Sequence, residues 1–282
     1  MAETPHKPAP SSGGAPSWLF KIRGDVPFGP GFALGLVPVA IMLGLWWWAT
    51  RGAVEERLIS IQILPSPSEV IESISSLFVD RHAMHHVGVS LGRVGQSYLW
   101  ALAIALPLGI AMASFGSIGA IFSPTSTASG YIPISTLVPL TIAWFGTGEQ
   151  QKVIFLALAF LIYLLPAIVK AIDSVPDVYL RTASTLGATR MQTILRVMVP
   201  IAAPDIWHAM RLAFGIGWTY IVLAEAIVQD DGLGFLVTIS QRRGHMDHVY
   251  LVIALITVIA WVADLAWRKL GHLLFRYQRS RA

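Results

Sequence analysis

The 282 residues contain no cysteine. Disulfides, thiolate metal sites and thiol nucleophiles are therefore excluded, and cysteine usage says nothing about the redox compartment. Charge is scarce as well: 13% of residues are Asp, Glu, Lys or Arg, against roughly 25% in an average soluble domain. No GxxxxGK[ST] phosphate loop occurs, so the commonest nucleotide-cradling signature is missing from this sequence. HExxH is missing too, which removes the commonest zinc-hydrolase signature. What charge there is tilts positive, with 20 Lys and Arg against 16 Asp and Glu. Placement in loops explains that excess better than nucleic acid does.

Hydrophobic residues supply 55% of the chain and gather in blocks parted by short polar connections. That is the pattern of a membrane protein rather than of a water-soluble core. Crossing a hydrocarbon layer of about 30 Å takes about 20 mostly apolar residues. Six segments qualify: 31–50, 88–113, 118–145, 153–171, 207–228 and 248–267. No charge occurs between Val94 and Gly148, a run too long for one helix, and the Ser114, Gly116, Ser117, Gly119 cluster marks the turn inside it. Pro38, Pro107, Pro133, Pro139 and Pro166 fall within spans, where neighbouring helices can satisfy the freed carbonyls. Ten Trp agree with interfacial belts. Residues 1–30 are polar and rich in Pro, Gly and Ser (PHKPAPSSGGAPS), which reads as a cytoplasmic segment, disordered to about residue 16, with no cleavable leader.

A cytoplasmic N-terminus puts 13 Lys and Arg inside, among them Lys170, Arg181, Arg190, Arg196, Arg211, Arg268 and Lys269, and 7 outside. Glu55, Glu56, Glu69, Glu72, Asp80, Glu149, Asp230, Asp231 and Asp247 all lie outside on the same reading. This bias predicts both termini in the cytoplasm. In the outer segment LPSPSEVIESISSLFVD, Ser66 can cap, Pro67 suits the first helical position and Glu69 completes a capping box. An amphipathic helix over 67–80 follows, with Val70, Ile71, Ile74, Leu77 and Phe78 on its apolar face, lying on the outer membrane surface.

Between the fourth and fifth spans the chain reads AIDSVPDVYLRTASTLGATRMQTILRVMVPIAAPDI. Two short helices separated by a glycine account for residues 173–206. The first begins near Ser174, with Pro176 early and Asp177 in its first turn, and Gly187 stops it in a left-handed cap. In the second, Met191, Ile194, Leu195 and Met198 recur at helical spacing, whereas Arg190, Thr193 and Arg196 point elsewhere. Pro200 and Pro204 end it and return the chain to the bilayer.

This loop resembles the signature of ABC-importer permeases of the binding-protein-dependent class: EAA, three residues, Gly, nine residues, I-x-L-P. The spacing from Gly187 to Pro200 matches, with Val197, Met198 and Val199 standing for I-x-L. Ala183 keeps the last alanine, while Arg181-Thr182 replaces the leading EA. ILPSPSEV, SLGRVGQSYLWALAIALPLGI, IPISTLVPLTIAWFGTGEQQK and RLAFGIGWTYIVLAEAIVQDDGLGFLV resemble successive blocks of the nitrate, taurine, alkanesulfonate and bicarbonate branch, so the likeness covers roughly residues 58–275. It implies an all-α, six-span fold of the type I importer permeases (MetI-like), with a permease domain over 31–267 and cytoplasmic coupling helices between spans four and five. It implies alternating access driven by two cytoplasmic ATPases that bind ATP and Mg, with no cofactor in this chain. A second permease copy, an extracytoplasmic binding protein and a bacterial inner-membrane location are implied as well. Arg181, Thr182, Ala183, Ser184, Leu186, Gly187 and Pro200 take the ATPase-coupling role, and the cargo is a small anion or sulfonate.

The remaining candidates have structural readings beside the functional ones. Glu225 is a carboxylate in an otherwise apolar stretch and needs a reason. It accepts hydrogen bonds from a neighbouring span or anchors the outer gate, or else it faces the path, where it would repel an anion. Arg93 and Arg211 at span edges snorkel to the interface, and Arg93 alternatively draws anions toward the outer mouth. Asp264 pairs with Arg268, four residues on. His82, His85 and His86 cluster in DRHAMHH, and His82 and His86 could share a helix face, but no cysteine or second-shell acid accompanies them, and solvation is the better reading than a metal site. Trp144 and Phe145 in TIAWFG seal part of the path or anchor at the interface. The basic tail 268–282 lies on anionic headgroups rather than on nucleic acid. Two other classes compete. A secondary transporter needs inverted repeats and intramembrane ionisable groups, of which Glu225 is the only candidate. A membrane-embedded hydrolase needs a nucleophile or metal set that the histidines outside the bilayer do not provide.

Overall fold

A computed structural model describes Ile22 and residues 26–52, 57–227 and 231–276. The expectations for residues 1–16 and for the tail beyond 276 lie outside the described residues. The described residues divide into two compact units, one up to Pro67 and one from Ser68 onward. In the first, α1 (Phe28–Thr50) carries no charged side chain, and Pro38 is accommodated within it. Near its end the Trp46 indole N–H donates to the Pro65 carbonyl at 2.8 Å, and the Thr50 hydroxyl donates back to the Trp46 carbonyl at 2.8 Å.

The helix expected over 67–80 is two pieces, α2 (Pro67–Glu72) and α3 (Ile74–Val79). The break falls at Ser73, whose hydroxyl donates to the Val70 carbonyl at 2.8 Å. The apolar face is narrower than expected: Val70 and Leu77 are buried, but Ile71 is exposed. The long helix α4 (Ala83–Ser114) then leads into α5 (Gly116–Ser129), the turn falling within the Ser114–Gly119 cluster.

The expected span 118–145 is not one straight helix. α5 is followed by a 3-10 turn (Ile134–Thr136) and α6 (Leu137–Phe145), bent by 90° at the break. Gly130 ends α5, and Pro133 adopts an extended backbone that no helix can run through. Next come α7 (Glu149–Asp173), α8 (Asp177–Thr185), α9 (Arg190–Thr193), α10 (Val199–Ile227), α11 (Leu233–Arg242) and α12 (Met246–Leu274). Among the described residues, 5 helices are long and apolar enough to cross a membrane, or 6 if the bent pair counts as one span.

The core is built on α4, α7 and α10. Ser97, Ala101, Ala105 and Gly109 repeat every four residues along one buried stripe of α4. Small side chains let backbones approach where lipid offers no hydrophobic drive. At Gly109 the approach is close enough that an added Cβ would lie 2.7 Å from Ile168 Cγ2 on α7. On α7, Phe155, Leu156, Ala159, Phe160, Leu164 and Ile168 are buried at helical spacing. Tyr98 joins the elements: its ring meets Phe160 and Phe214 edge-on at 5.2 and 5.1 Å, and its hydroxyl donates to the Met210 carbonyl at 3.0 Å.

Pro200 and Pro204 do not end a helix, contrary to expectation. The helix runs from Arg190 to Ile227, with a π turn at Ile194–Met198 in which the Val199 N–H reaches back to the Ile194 carbonyl. The wider turn sits immediately before Pro200, where the ring of an interior proline collides with a carbonyl one turn back. It also changes the register, so Ile194 and Met198 pack inward while Met191 and Leu195 of the expected apolar stripe stay exposed.

Candidate functional site

Residues 174–200 build a stiff corner. α8 starts after Pro176 with Asp177 in its first turn, favourable against the helix dipole. At its end the Gly187 N–H donates to the Ser184 carbonyl and the Ala188 N–H to the Ala183 carbonyl, both at 3.0 Å. This paired closure requires a left-handed residue, and Gly187 supplies it with φ +76°. Two residues later Thr189 opens α9: its hydroxyl accepts from the Gln192 N–H at 3.3 Å, and the Gln192 side chain accepts from the Thr189 N–H at 2.8 Å. This reciprocal cap is T-x-x-Q in the sequence, a signal that apolar spacing passes over.

On this corner Arg181, Thr182, Ser184, Leu186, Gly187 and Pro200 are exposed, Leu186 to 80%, whereas Ala183 is turned inward. The hydroxyls of Thr182, Ser184 and Thr185 each donate to the carbonyl four residues back, at 2.8 to 2.9 Å. They therefore present acceptors outward. Behind the corner a cavity of about 470 Å³ is bounded by Ser114, Gly116, Ser184, Arg190 and Met198, between α8, the π turn and the α4–α5 junction.

A second constellation is buried. Arg93 does not snorkel; its side chain is 4% exposed and Glu225 is fully buried. The Glu225 carboxylate accepts from Arg93 Nη1 at 2.8 Å, from the Ser90 hydroxyl at 2.8 and 2.9 Å and from the Gly234 N–H at 2.9 Å. Arg93 also forks onto Glu149, at 2.7 and 2.5 Å, and binds the side chain and carbonyl of Asp231. Burial forces this arrangement, because a guanidinium out of water must be paired. Glu149 in turn accepts from the fully buried Lys152 at 2.8 Å. The cluster ties α4, α7, α10 and the turn before α11. Sequence reading finds Arg93 and Glu225 but not Ser90, Glu149 and Asp231 as their partners, since nothing local links residues more than fifty positions apart.

Residues 88–92 read GVSLG and do satisfy the serine-hydrolase pattern GxSxG, a match missed at the level of sequence. The stretch lies inside α4 rather than on a strand-to-helix turn, and Ser90 is engaged with Glu225 and with the Leu233 N–H at 2.9 Å. Arg211 also fails to snorkel: it pairs with Asp264 at 2.5 Å, and Asp264 keeps its expected partner Arg268 at 3.2 Å. His86 Nδ1 accepts from the Gly232 N–H at 2.9 Å, and among the described residues no cluster of three or more His, Cys, Asp and Glu could hold a metal. Trp144 and Phe145 pair edge-on at the end of α6, with Trp144 largely exposed.

Residues 105–272 match the family described as binding-protein-dependent transport system inner membrane component. The chain is 31% identical over 246 residues to the taurine transport system permease protein TauC of Escherichia coli (strain K12), covering 86% of this chain and 88% of that one. It is 24% identical over 251 residues to the putative aliphatic sulfonates transport permease protein SsuC of Bacillus subtilis (strain 168), covering 89% of each. Among solved structures it resembles a chain of the MetNI methionine ABC transporter in an inward facing conformation, with a TM-score of 0.61 and 18% identity over 67% of this chain and 94% of that one. The family match covers more than half the chain, and it agrees with the helical architecture and the apolar spans. The chain belongs to the binding-protein-dependent transport system inner membrane components: it is a multi-pass permease subunit of an ABC importer, whose ATPase is a separate chain.

Proposed function

We propose that two copies of this chain frame one path for a small sulfonate of the taurine type, and that the corner at residues 174–200 is the handle on which two cytoplasmic ATPases, loaded with ATP and Mg, act. An extracytoplasmic binding protein delivers the cargo, both termini face the cytoplasm, and the site is a bacterial inner membrane. The names of the similar permeases support the cargo class. The domain limits follow the same reading: a cytoplasmic segment over 1–30, the permease proper over 31–267 and a basic tail over 268–282.

One observation carries the coupling role. α8 is closed by a left-handed cap, α9 is opened by a reciprocal cap, and the helix so begun continues without interruption into α10. Such a corner has no slack, so a push on it moves α10 as a rigid body instead of being absorbed locally. Arg181, Thr182, Ser184, Leu186 and Gly187 offer the outer surface, and Ala183 supports them from beneath. Pro200 marks where the handle enters the membrane helix. Trp144 and Phe145 are assigned to the gate, and Arg93 with Glu225 to the frame that holds the outer ends of the spans.

The test is cargo-stimulated ATP hydrolysis in the reconstituted importer. Gly187→Val must force a branched residue into a left-handed backbone, and Arg181→Glu reverses a charge on the handle. Both variants are expected to insert normally and to lose coupling between hydrolysis and uptake. Normal cargo-stimulated hydrolysis in both would refute the assignment.

A further inference from the structure

The Tyr163 and Tyr220 hydroxyls lie 3.2 Å apart, one from α7 and one from α10, on an exposed part of the described surface. Tyr163 sits eleven residues from Lys152 and seven from Lys170, about 16 and 10 Å along α7. Tyr220 sits nine residues from Arg211 and five from Glu225, about 14 and 8 Å along α10. A hydrocarbon layer about 30 Å thick, laid over these two helices, would take in both hydroxyls, away from the interfacial level where tyrosines normally settle.

Counting protons shows what the pair lacks. Two phenols carry two O–H protons, and their mutual hydrogen bond uses one. Among the described residues neither hydroxyl has another partner, so one donor is left over at membrane depth. A bare donor facing lipid costs several kcal/mol, which makes a polar counterpart on that surface far the better arrangement.

We propose that Tyr163 and Tyr220 line the translocation path and donate to a sulfonate oxygen of the passing cargo. This rests on the sulfonate-importer reading and deepens it. Neutral donors suit a conducting path, because an arginine at the same place would hold an anion, while a phenol pair contacts it weakly enough to let it leave. Two buried cations of the same helices and of α4 are already engaged, since Arg93 is bound by three carboxylates and Lys152 by Glu149.

The assay is uptake of labelled taurine per ATP hydrolysed, in proteoliposomes holding the permease, its ATPase and its binding protein. The Tyr163→Phe, Tyr220→Phe double variant keeps both rings. It is expected to lower uptake per ATP by about twofold to tenfold, the range of one neutral hydrogen bond. Unchanged uptake per ATP overturns the proposal. The absence of native cysteine allows a second arm: Tyr163→Cys in the assembled importer is expected to react with a water-borne, membrane-impermeant thiol reagent and to be protected by taurine. No labelling overturns the proposal by placing the pair against lipid or the second copy. If the unaltered importer takes up no taurine, the sulfonate reading falls, and the labelling arm still decides whether the pair borders water.

Discussion

Arg93→Met is the sharpest perturbation of the fold. It removes a guanidinium that is 4% exposed and leaves the fully buried Glu225 carboxylate, among the described residues, with only the Ser90 hydroxyl and the Gly234 N–H. Stripping one partner from a buried ion pair costs about 3–5 kcal/mol, because the other charge stays buried and uncompensated. Glu149, whose side chain is 60% exposed, gains water in exchange, so its share of the loss is small. Glu225→Gln behaves differently. The amide keeps the shape, and Arg93 retains Glu149 and Asp231, so the cost is about 1–3 kcal/mol, mainly from unmatched hydrogen bonds. On the scale of domains of 150–250 residues, the Arg93→Met loss corresponds to a fall of roughly 6–20 °C in unfolding midpoint. Heating the detergent-purified protein and following its monodisperse fraction measures the difference. The double variant is expected to be more stable than Arg93→Met alone, since it removes the stranded charge. Equal stability of Arg93→Met and the parent, or a larger loss in Glu225→Gln than in Arg93→Met, would refute the argument.

Three further outcomes follow from the packing. Gly109→Leu pushes side-chain volume against Ile168, where even a Cβ would sit at 2.7 Å. A loss of about 1–3 kcal/mol is expected, seen as a lower unfolding midpoint and partly restored by Ile168→Ala. Thr189→Ala deletes the reciprocal cap and costs the corner about 1 kcal/mol. Amide exchange should speed up at residues 189–193 while exchange in α7 holds. Arg211→Ala should change stability by less than about 1 kcal/mol, because Asp264 is partly exposed and keeps Arg268.

Most of the spans are legible because lipid imposes length and composition locally: α1, α4, α7 and α12 lie where their apolar runs predict. The corner at Gly187 is legible for a similar reason, since a left-handed backbone selects glycine at the position itself. The failures share a cause. Proline in water-soluble helices signals an end, so Pro200 reads as a stop, yet a π turn next to it preserves the helix through α10. Arg93 and Arg211 read as snorkelling because a long cation near a span edge has water within reach. Each instead meets a carboxylate from another element, a partner that no local spacing announces.

Composition, apolar run length and the glycine-centred loop thus determined, by themselves, a helical protein with membrane-spanning runs and a built corner between α7 and α10. These features act within a few turns of chain, where sterics and solvent preference operate residue by residue. Which charges meet, which hydroxyls are left with a proton to give, and where the helix after the corner continues were decided only when distant helices packed. Burial removed water as the default partner and left each polar group to find one across the fold.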